Sequence, residues 1–468
     1  MRPRAAVLAW LAGLLTGGLI TSGATPALAR PTPLEHERVT TTRTTVTMRL
    51  SPPVVTVGEP SSVVAVATPV RTGRPFTLQR AVDGVWQPIA TAKGDAAGRA
   101  VLPLDTSTAG AQVLRVVAEA TRSLPRRATT STRLQVYPPE SCRPTVPLVD
   151  PGATAAAQCL AARLDRWRAA GLMGVGQQLN VSGRDYLTPL TALGGRRVSV
   201  VGFDLEELAA GETYQFPQPP LDTLVGLTQQ GAVLSASWHM PNPHTGGRFD
   251  DRAWHDLSAL LDPTSAEYAR FWADVDAKLE LLRRFQDAGV AVVLRPLHEA
   301  NGGWFWWGKP NPTTYKDLWS ALQQRAWDAG VHNVVWAYSF NAVTDSGVTD
   351  PVQLLPRRVD LAGIDAYDPE AARGTSGDAI PLRGYASVAA RVKRMAMTEV
   401  GPRDSLSGTW NPATITRVAR GLSSRPAWAL LWFDDLPPNA PLYKRQISSL
   451  SGGLRWLDSC PTALCSLR

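Results

Sequence analysis

Long apolar runs are nearly absent from this 468-residue sequence, which leaves little room for membrane-spanning helices. A helical crossing needs about 20 apolar residues. Only "AAVLAWLAGLLTGGLI", at 5–20, approaches that, and it is short and broken by glycines. Dense runs of one charge are also missing after the first few residues. The formal charge of +8 is therefore spread over a solvated surface, which argues against a nucleic-acid partner. Weak attraction to an anionic surface such as a cell wall remains compatible with it. Cysteine is scarce, with four residues and no C-x-x-C pair, so a zinc site is not expected. No internal repeat of 20 to 50 residues marks a solenoid. Hydrophobic residues make up 44% and charged residues 19%, enough to bury a core in two or three domains.

The N-terminal run reads as an export signal. "MRPR" is basic, the apolar stretch follows, and "TPALA" ends in small residues at Ala27 and Ala29. The expectation is a signal peptide over 1–29, a flexible leader over 30–43, and a secreted bacterial protein with no membrane contact after processing. Cys142, Cys159, Cys460 and Cys465 fit an oxidising destination. Local pairing, Cys142–Cys159 with Cys460–Cys465, is the expected connectivity. Pairing that ties the ends of the region together is the alternative, and spacing alone does not choose.

Two patterns of apolar residues divide the rest. Over 44–138, short β-branched runs such as "SSVVAVATPV" and "QVLRVVAEA" alternate with turn signals such as "TVGEP" and "GDAAG". About seven strands in that length suggest a β-sandwich. The region resembles the immunoglobulin-like modules of exported bacterial enzymes. It contains no catalytic set, so a spacer or a contact with cell wall or polysaccharide is expected of it. A proline-rich linker is expected over 139–150. From 151 to 468 eight buried-looking strands alternate with helical segments: 172–178, 197–205, 232–239, 290–299, 333–340, 361–367, 394–401 and 428–435. Helical spacing over 265–289 and 311–330 supports the alternation. The fold class is α/β, a (β/α)8 TIM barrel preceded by a small all-β sandwich.

In such barrels the chemistry sits at the C-terminal ends of the strands. Two glutamates stand there, Glu299 at the end of the fourth strand and Glu399 at the end of the seventh. A pair of carboxylates across a barrel mouth suits glycoside hydrolysis, one giving a proton and the other attacking the anomeric carbon. The acid must stay neutral, and the apolar "WFWW" at 304–307 could bury it. Glu399 would need hydrogen bonds, with Tyr367 a candidate donor. Aromatic rings also offer flat faces to sugars, so Trp304 and Trp307 are expected to touch substrate. Alternate members of that run must point in opposite directions, so some of it is core. Asp365 is expected to fix backbone rather than touch substrate.

The motif "RPLHEANGGWFWWG" (295–308) resembles the acid/base signature of glycoside hydrolase family 26, best known for endo-β-1,4-mannanases. "SWHMPNP" (237–243), "VDLAGIDAYD" (359–368) and "MTEVG" (397–401) resemble its third, sixth and seventh strand motifs, in order over most of 150–460. Ala300 and Gly303 are smaller than in some members, a departure that bears on loop packing. The resemblance implies a retaining mechanism through a covalent intermediate, with no metal and no cofactor. It implies Glu299 as acid/base and Glu399 as nucleophile. It gives His239 and His298 to the sugar at the cleavage point, Tyr367 to the nucleophile and Trp432 to the sugar's floor. Asn301 and Trp304 would shape the site. The expected function is a secreted, monomeric endo-β-1,4-mannanase acting on a polysaccharide. Mixed-linkage β-glucan or β-1,3-xylan are the alternative polymers, and a non-catalytic wall protein is the alternative class.

Overall fold

The structure, a computed structural model, describes residues 43–51, 54–57, 61–137, 142–254, 256–342, 348–369, 379–436 and 441–468. The expected signal peptide and all of the leader but Arg43 lie outside the described residues.

The N-terminal region is all β. Strands β1 (Thr45–Ser51), β3 (Ser62–Thr68) and β6 (Arg99–Pro103) form one sheet. Strands β2 (Val54–Thr56), β4 (Pro75–Val82), β5 (Val85–Lys93), β7 (Gly110–Ala118), β8 (Arg127–Ala128) and β9 (Thr132–Tyr137) form another. The period-two pattern explains the two faces. In β3, Val63, Ala65 and Ala67 are buried while Val66 and Thr68 are exposed. The buried set joins Phe76, Leu78, Leu102, Leu114, Val116 and Leu134 in one apolar cluster drawn from both sheets.

The second region is a closed eight-strand parallel barrel wrapped by helices. Its strands are β10 (Leu172–Gln178), β11 (Val200–Asp204), β12 (Val233–Ser237), β13 (Val292–Arg295), β14 (Val334–Asn341), β15 (Leu361–Asp368), β16 (Met395–Pro402) and β17 (Trp428–Leu431). Each pairs in parallel with the next, and β10 pairs with both β11 and β17 to close the ring. Strand β18 (Leu464–Ser466) adds antiparallel to β10. The helix Ala266–Asp287 is capped by Ser265, which accepts from the Tyr268 N–H, and Gly289 follows its end at φ 72°. The helix Pro312–Asp328 begins at proline behind the Asn311 cap. Residues near the N-terminal ends of seven strands, Val200, Val233, Val293, Val335, Leu361, Ala396 and Trp428, cluster with Leu160, Leu164 and Trp167 of the helix Ala155–Ala170. That helix therefore plugs the end of the barrel opposite its mouth.

Two expectations change, and the expected cysteine pairing is found. Residues 142–150, read as linker, are fastened to the barrel. Thr145 donates to Asp165, the Val149 N–H to Asp360, and His332 pairs with Asp150. Several strands are shorter than their apolar runs. The fourth stops at Arg295 because Pro296 has no N–H to give and Leu297 and Glu299 turn to positive φ, 49° and 53°. Likewise Trp432 to Asp435 lie beyond β17. The cysteines form the two local bridges, Cys142–Cys159 and Cys460–Cys465.

One irregularity in the ladder matters for the site. Between β15 and β16 the register moves from Ile364↔Met397 to Asp365↔Glu399, leaving Thr398 as an extra residue. This bulge turns the Thr398 side chain inward, where its hydroxyl donates to Asp365 at 2.7 Å. Room for it exists because residue 363 is glycine: a Cβ there would fall on the Thr398 side chain. Gly363→Ala is expected to cost about 1–3 kcal/mol by overpacking. Thr398→Ala in the same chain should recover part of that loss. Urea unfolding of the two variants checks it, and an unchanged midpoint for Gly363→Ala would sink the account.

Candidate active site

The C-terminal ends of the barrel strands surround a cavity of about 440 Å³. Glu299, His239, His298, Trp304, Phe305 and Trp432 line it. Asn341, Tyr367, Glu399, Arg403 and Arg445 complete its wall.

Glu299 reaches the cavity from a turn, not a strand. Its own N–H donates to the Ser339 carbonyl of the neighbouring strand at 2.9 Å. Its left-handed φ is a conformation that costs a glutamate roughly 1–3 kcal/mol and persists only where the surroundings enforce it. Asn341 donates to one carboxyl oxygen and the Trp304 indole to the other, both at 2.6 Å. Burial, followed by the charges of Asp365 and Glu399, pushes the Glu299 carboxyl well above the usual range; the two hydrogen bonds oppose this without cancelling it. The environment of Glu299 therefore favours its protonated form.

Glu399 is oriented by two donors. Arg295 Nη2 gives to one oxygen at 2.8 Å and the Tyr367 hydroxyl to the other at 2.7 Å. Tyr367 itself is held neutral, its hydroxyl pushed well up by burial and by the Glu399 charge. Below both glutamates lies Asp365, fully buried, accepting from Thr398, Ser339 and Arg295. Ligand oxygens of Glu299, Asp365 and Glu399 fall within 4.8 Å of one another. That spacing could hold a cation, and the Arg295 guanidinium already stands against two of the three.

The two histidines face each other edge to face, ring centroids 4.7 Å apart. His239 is anchored by Asp204, which bonds both its N–H and its Nδ1. Burial pushes the Asp204 carboxyl up, but His239, Ser237 and the Glu207 N–H outweigh it and leave it below the ordinary range. His298 is neutral: burial, then the charges of His239 and Arg295, holds it well below its usual value. Its Nδ1 is buried with no hydrogen-bond partner among the described residues.

The run Trp304–Trp307 divides by direction. Trp304 and Phe305 line the cavity. Trp306 and Trp307 are fully buried, their indoles donating to the Met240 and His298 carbonyls. The sugar contact expected of Trp307 is thus corrected: it packs beneath Phe305, centroids 4.6 Å apart, and steadies His298. Asn301 is also buried off the cavity. It exchanges two hydrogen bonds with the Asn341 backbone and so holds the residue that holds Glu299. Sequence reasoning assigned no role to Arg295, Asn341, Arg403 or Arg445, and left Phe305 in the part of the aromatic run given to the core. Arg295 carried a signal, as a lone charge at the end of the apolar run "VAVVL". The others follow only from the fold.

A family model described as glycosyl hydrolase family 26 matches residues 157–448. A mannan endo-1,4-β-mannosidase of Thermothelomyces thermophilus is 31% identical over 177 residues, 35% of this chain and 36% of that one. One from Bacillus subtilis is 29% identical over 225 residues, 45% of this chain and 59% of that one. The chain thus spans between about a third and three fifths of those relatives' lengths. Among solved structures, the catalytic domain of a Bacillus sp. JAMB-750 endo-β-1,4-mannanase aligns with TM-score 0.56 at 22% identity, over 67% of this chain and 92% of that one. A Bacillus subtilis mannanase aligns with TM-score 0.54 at 23% identity, over 67% and 93%. These likenesses show a shared barrel fold.

The bonds to Glu299 have a directional consequence. Both favour its charged form, so Asn341→Ala should move its proton loss to higher pH. A carboxyl ¹³C titration of Glu299 in both proteins checks the sign; a shift to lower pH would contradict the assigned geometry.

Proposed function

The chain belongs to glycosyl hydrolase family 26, and from that premise we propose that it is a secreted, retaining endo-β-1,4-mannanase. One observation carries the mechanism. The Glu299 and Glu399 carboxyl oxygens lie within 4.8 Å of each other. Retaining enzymes hold their carboxyl groups about 5–5.5 Å apart, whereas inverting ones need about 6.5–9.5 Å to admit a water.

In this reading Glu399 attacks the anomeric carbon as Glu299 protonates the leaving oxygen. The glycosyl group is then bound to Glu399 and the shortened chain departs. Glu299, now charged, takes a proton from water, which attacks the same carbon and frees Glu399. The donors on Glu399 suit this cycle, because Arg295 and Tyr367 fix the direction of its oxygens for attack. Trp432, Trp304 and Phe305 offer apolar faces to sugar rings, and His239 and His298 offer ring nitrogens to hydroxyls. Mannan as the polymer rests on the relatives named as mannan endo-1,4-β-mannosidases.

The N-terminal all-β region is read as an immunoglobulin-like sandwich that spaces the barrel or touches wall or polysaccharide. Export is supported by the signal-like N-terminus and by two disulfides, which persist in oxidising compartments. Among the described residues no helix is long and apolar enough to cross a membrane.

A reducing-sugar assay on β-mannan, galactomannan, mixed-linkage β-glucan and β-1,3-xylan tests the reading. Mannans should be cleaved, with the product anomer retained by NMR. Glu299→Gln should lose roughly 10²–10⁴-fold on mannan yet far less on an aryl mannoside whose leaving group needs no proton. Glu399→Ala should lose turnover on both, and azide should rescue it with an inverted product. Cleavage of glucan or xylan alone would keep the mechanism and overturn the polymer. Normal activity in Glu399→Ala would remove the nucleophile assignment.

A further inference from the structure

Asp365 is the residue of the site that the double displacement does not use. It lies in β15 two residues before Tyr367, is fully buried, and does not line the cavity. It cannot touch substrate. Nevertheless its carboxylate falls within 4.8 Å of both glutamates. Three neighbouring elements converge on it: Arg295 from β13, Ser339 from β14, and Thr398 from the bulge in β16. A glycine at 363 is required for Thr398 to fit. So much arrangement around one non-contacting acid asks for a purpose.

Charge supplies one. Three carboxylates share a single cation, Arg295, which bonds Asp365 and Glu399 but not Glu299. The charged and titratable groups facing Asp365 are Arg295, Glu399, Glu299 and Tyr367. Those facing Glu299 are Asp365, Glu399 and Arg295. Like charges this close cannot all ionise together. The carboxyl without the cation is the one that keeps its proton, and that is Glu299.

Resting on the retaining reading above, we infer that Asp365 is a positioning residue that fixes Arg295 beneath Glu399 and, through its negative charge, reserves the proton for Glu299. Burial, and next the Glu399 charge, raises Asp365 itself to about 7 against the pull of Arg295, Thr398 and Ser339. After burial, Asp365 is the largest influence holding Glu299 up, ahead of Glu399. Above neutrality Asp365 is charged, and the acid then holds its proton to higher pH than Glu399 alone could impose.

The test is the pH profile of kcat/KM on mannan for the wild-type chain and Asp365→Asn. Removing the charge should move the alkaline limb to lower pH by about one unit or more. The limb should be absent for both proteins on an aryl mannoside with a good leaving group. A purely structural role would lower the rate at every pH and leave the limb in place, and that result overturns the inference. If Asp365→Asn does not fold, the wild-type chain decides. In protein labelled with ¹³C-carboxyl Asp and Glu, and with Glu299→Gln for assignment, the Glu299 signal should respond in two steps, the first coinciding with the titration of Asp365. A single step with no such response overturns the inference equally. Inactivity of the wild-type chain on mannan and aryl mannoside alike would instead be a failure of the proposed function, and the carboxyl titration would still judge the electrostatics.

Discussion

A guanidinium buried at the end of the fourth barrel strand is the constraint around which the site is arranged. Arg295 is only 1% exposed. A charge taken so far from water is tolerated only when paired and hydrogen-bonded. Asp365, Ser339 and Glu399 meet that demand from three other strands. Losing either carboxylate would weaken the pairing of a buried charge, and losing the Ser339 hydroxyl would remove a hydrogen bond from it, so the four groups hold one another in place. The same pairing sorts the acids: Arg295 bonds one oxygen of Glu399 and none of Glu299. In the proposed mechanism this distinguishes the attacking group from the proton donor although both are glutamates.

Regular barrel geometry would not deliver this set. A strict parallel ladder alternates its side chains, so Thr398 and Glu399 would face opposite sides of the sheet. The bulge at Thr398 allows both to reach the interior. The turn after β13 does similar work. Pro296 ends the strand, and left-handed Leu297 and Glu299 swing the acid over the cavity. Trp307 and Asn301, buried behind that turn, resist its relaxation through the His298 carbonyl and the Asn341 backbone. Strain at Glu299 is thus opposed by packing close beside it.

The aromatic run next to the acid has two jobs that a linear reading merges. Trp304 touches Glu299 directly and Phe305 faces the cavity, while Trp306 and Trp307 form the floor on which that pair rests. Three tryptophans beside one carboxylate are thus explained by a single buried acid needing a donor, a dry wall and a rigid support.

Sequence by itself determined the barrel architecture and brought Glu299 and Glu399 forward as the candidate pair. Eight apolar β-branched runs alternating with helical periodicity leave few ways to bury their surface other than a closed parallel barrel, and its strand ends localise Glu299 and Glu399. Short period-two runs likewise marked the N-terminal region as all β. Tertiary structure decided what periodicity cannot encode. Which rings face the cavity depends on a turn with positive φ, so Trp307 went to the core and Phe305 to the cavity. The partnership of Arg295, Ser339, Asp365 and Thr398 joins residues up to 103 positions apart, since Arg295 and Thr398 meet only when β13, β14, β15 and β16 lie side by side. Residues 142–150 read as linker because prolines and turns dominate them; only the opposite faces of Asp165, Asp360 and His332 made them part of the barrel. Local propensity fixes an element, whereas hydrogen-bond partners and charge balance are set by neighbours that sequence distance hides.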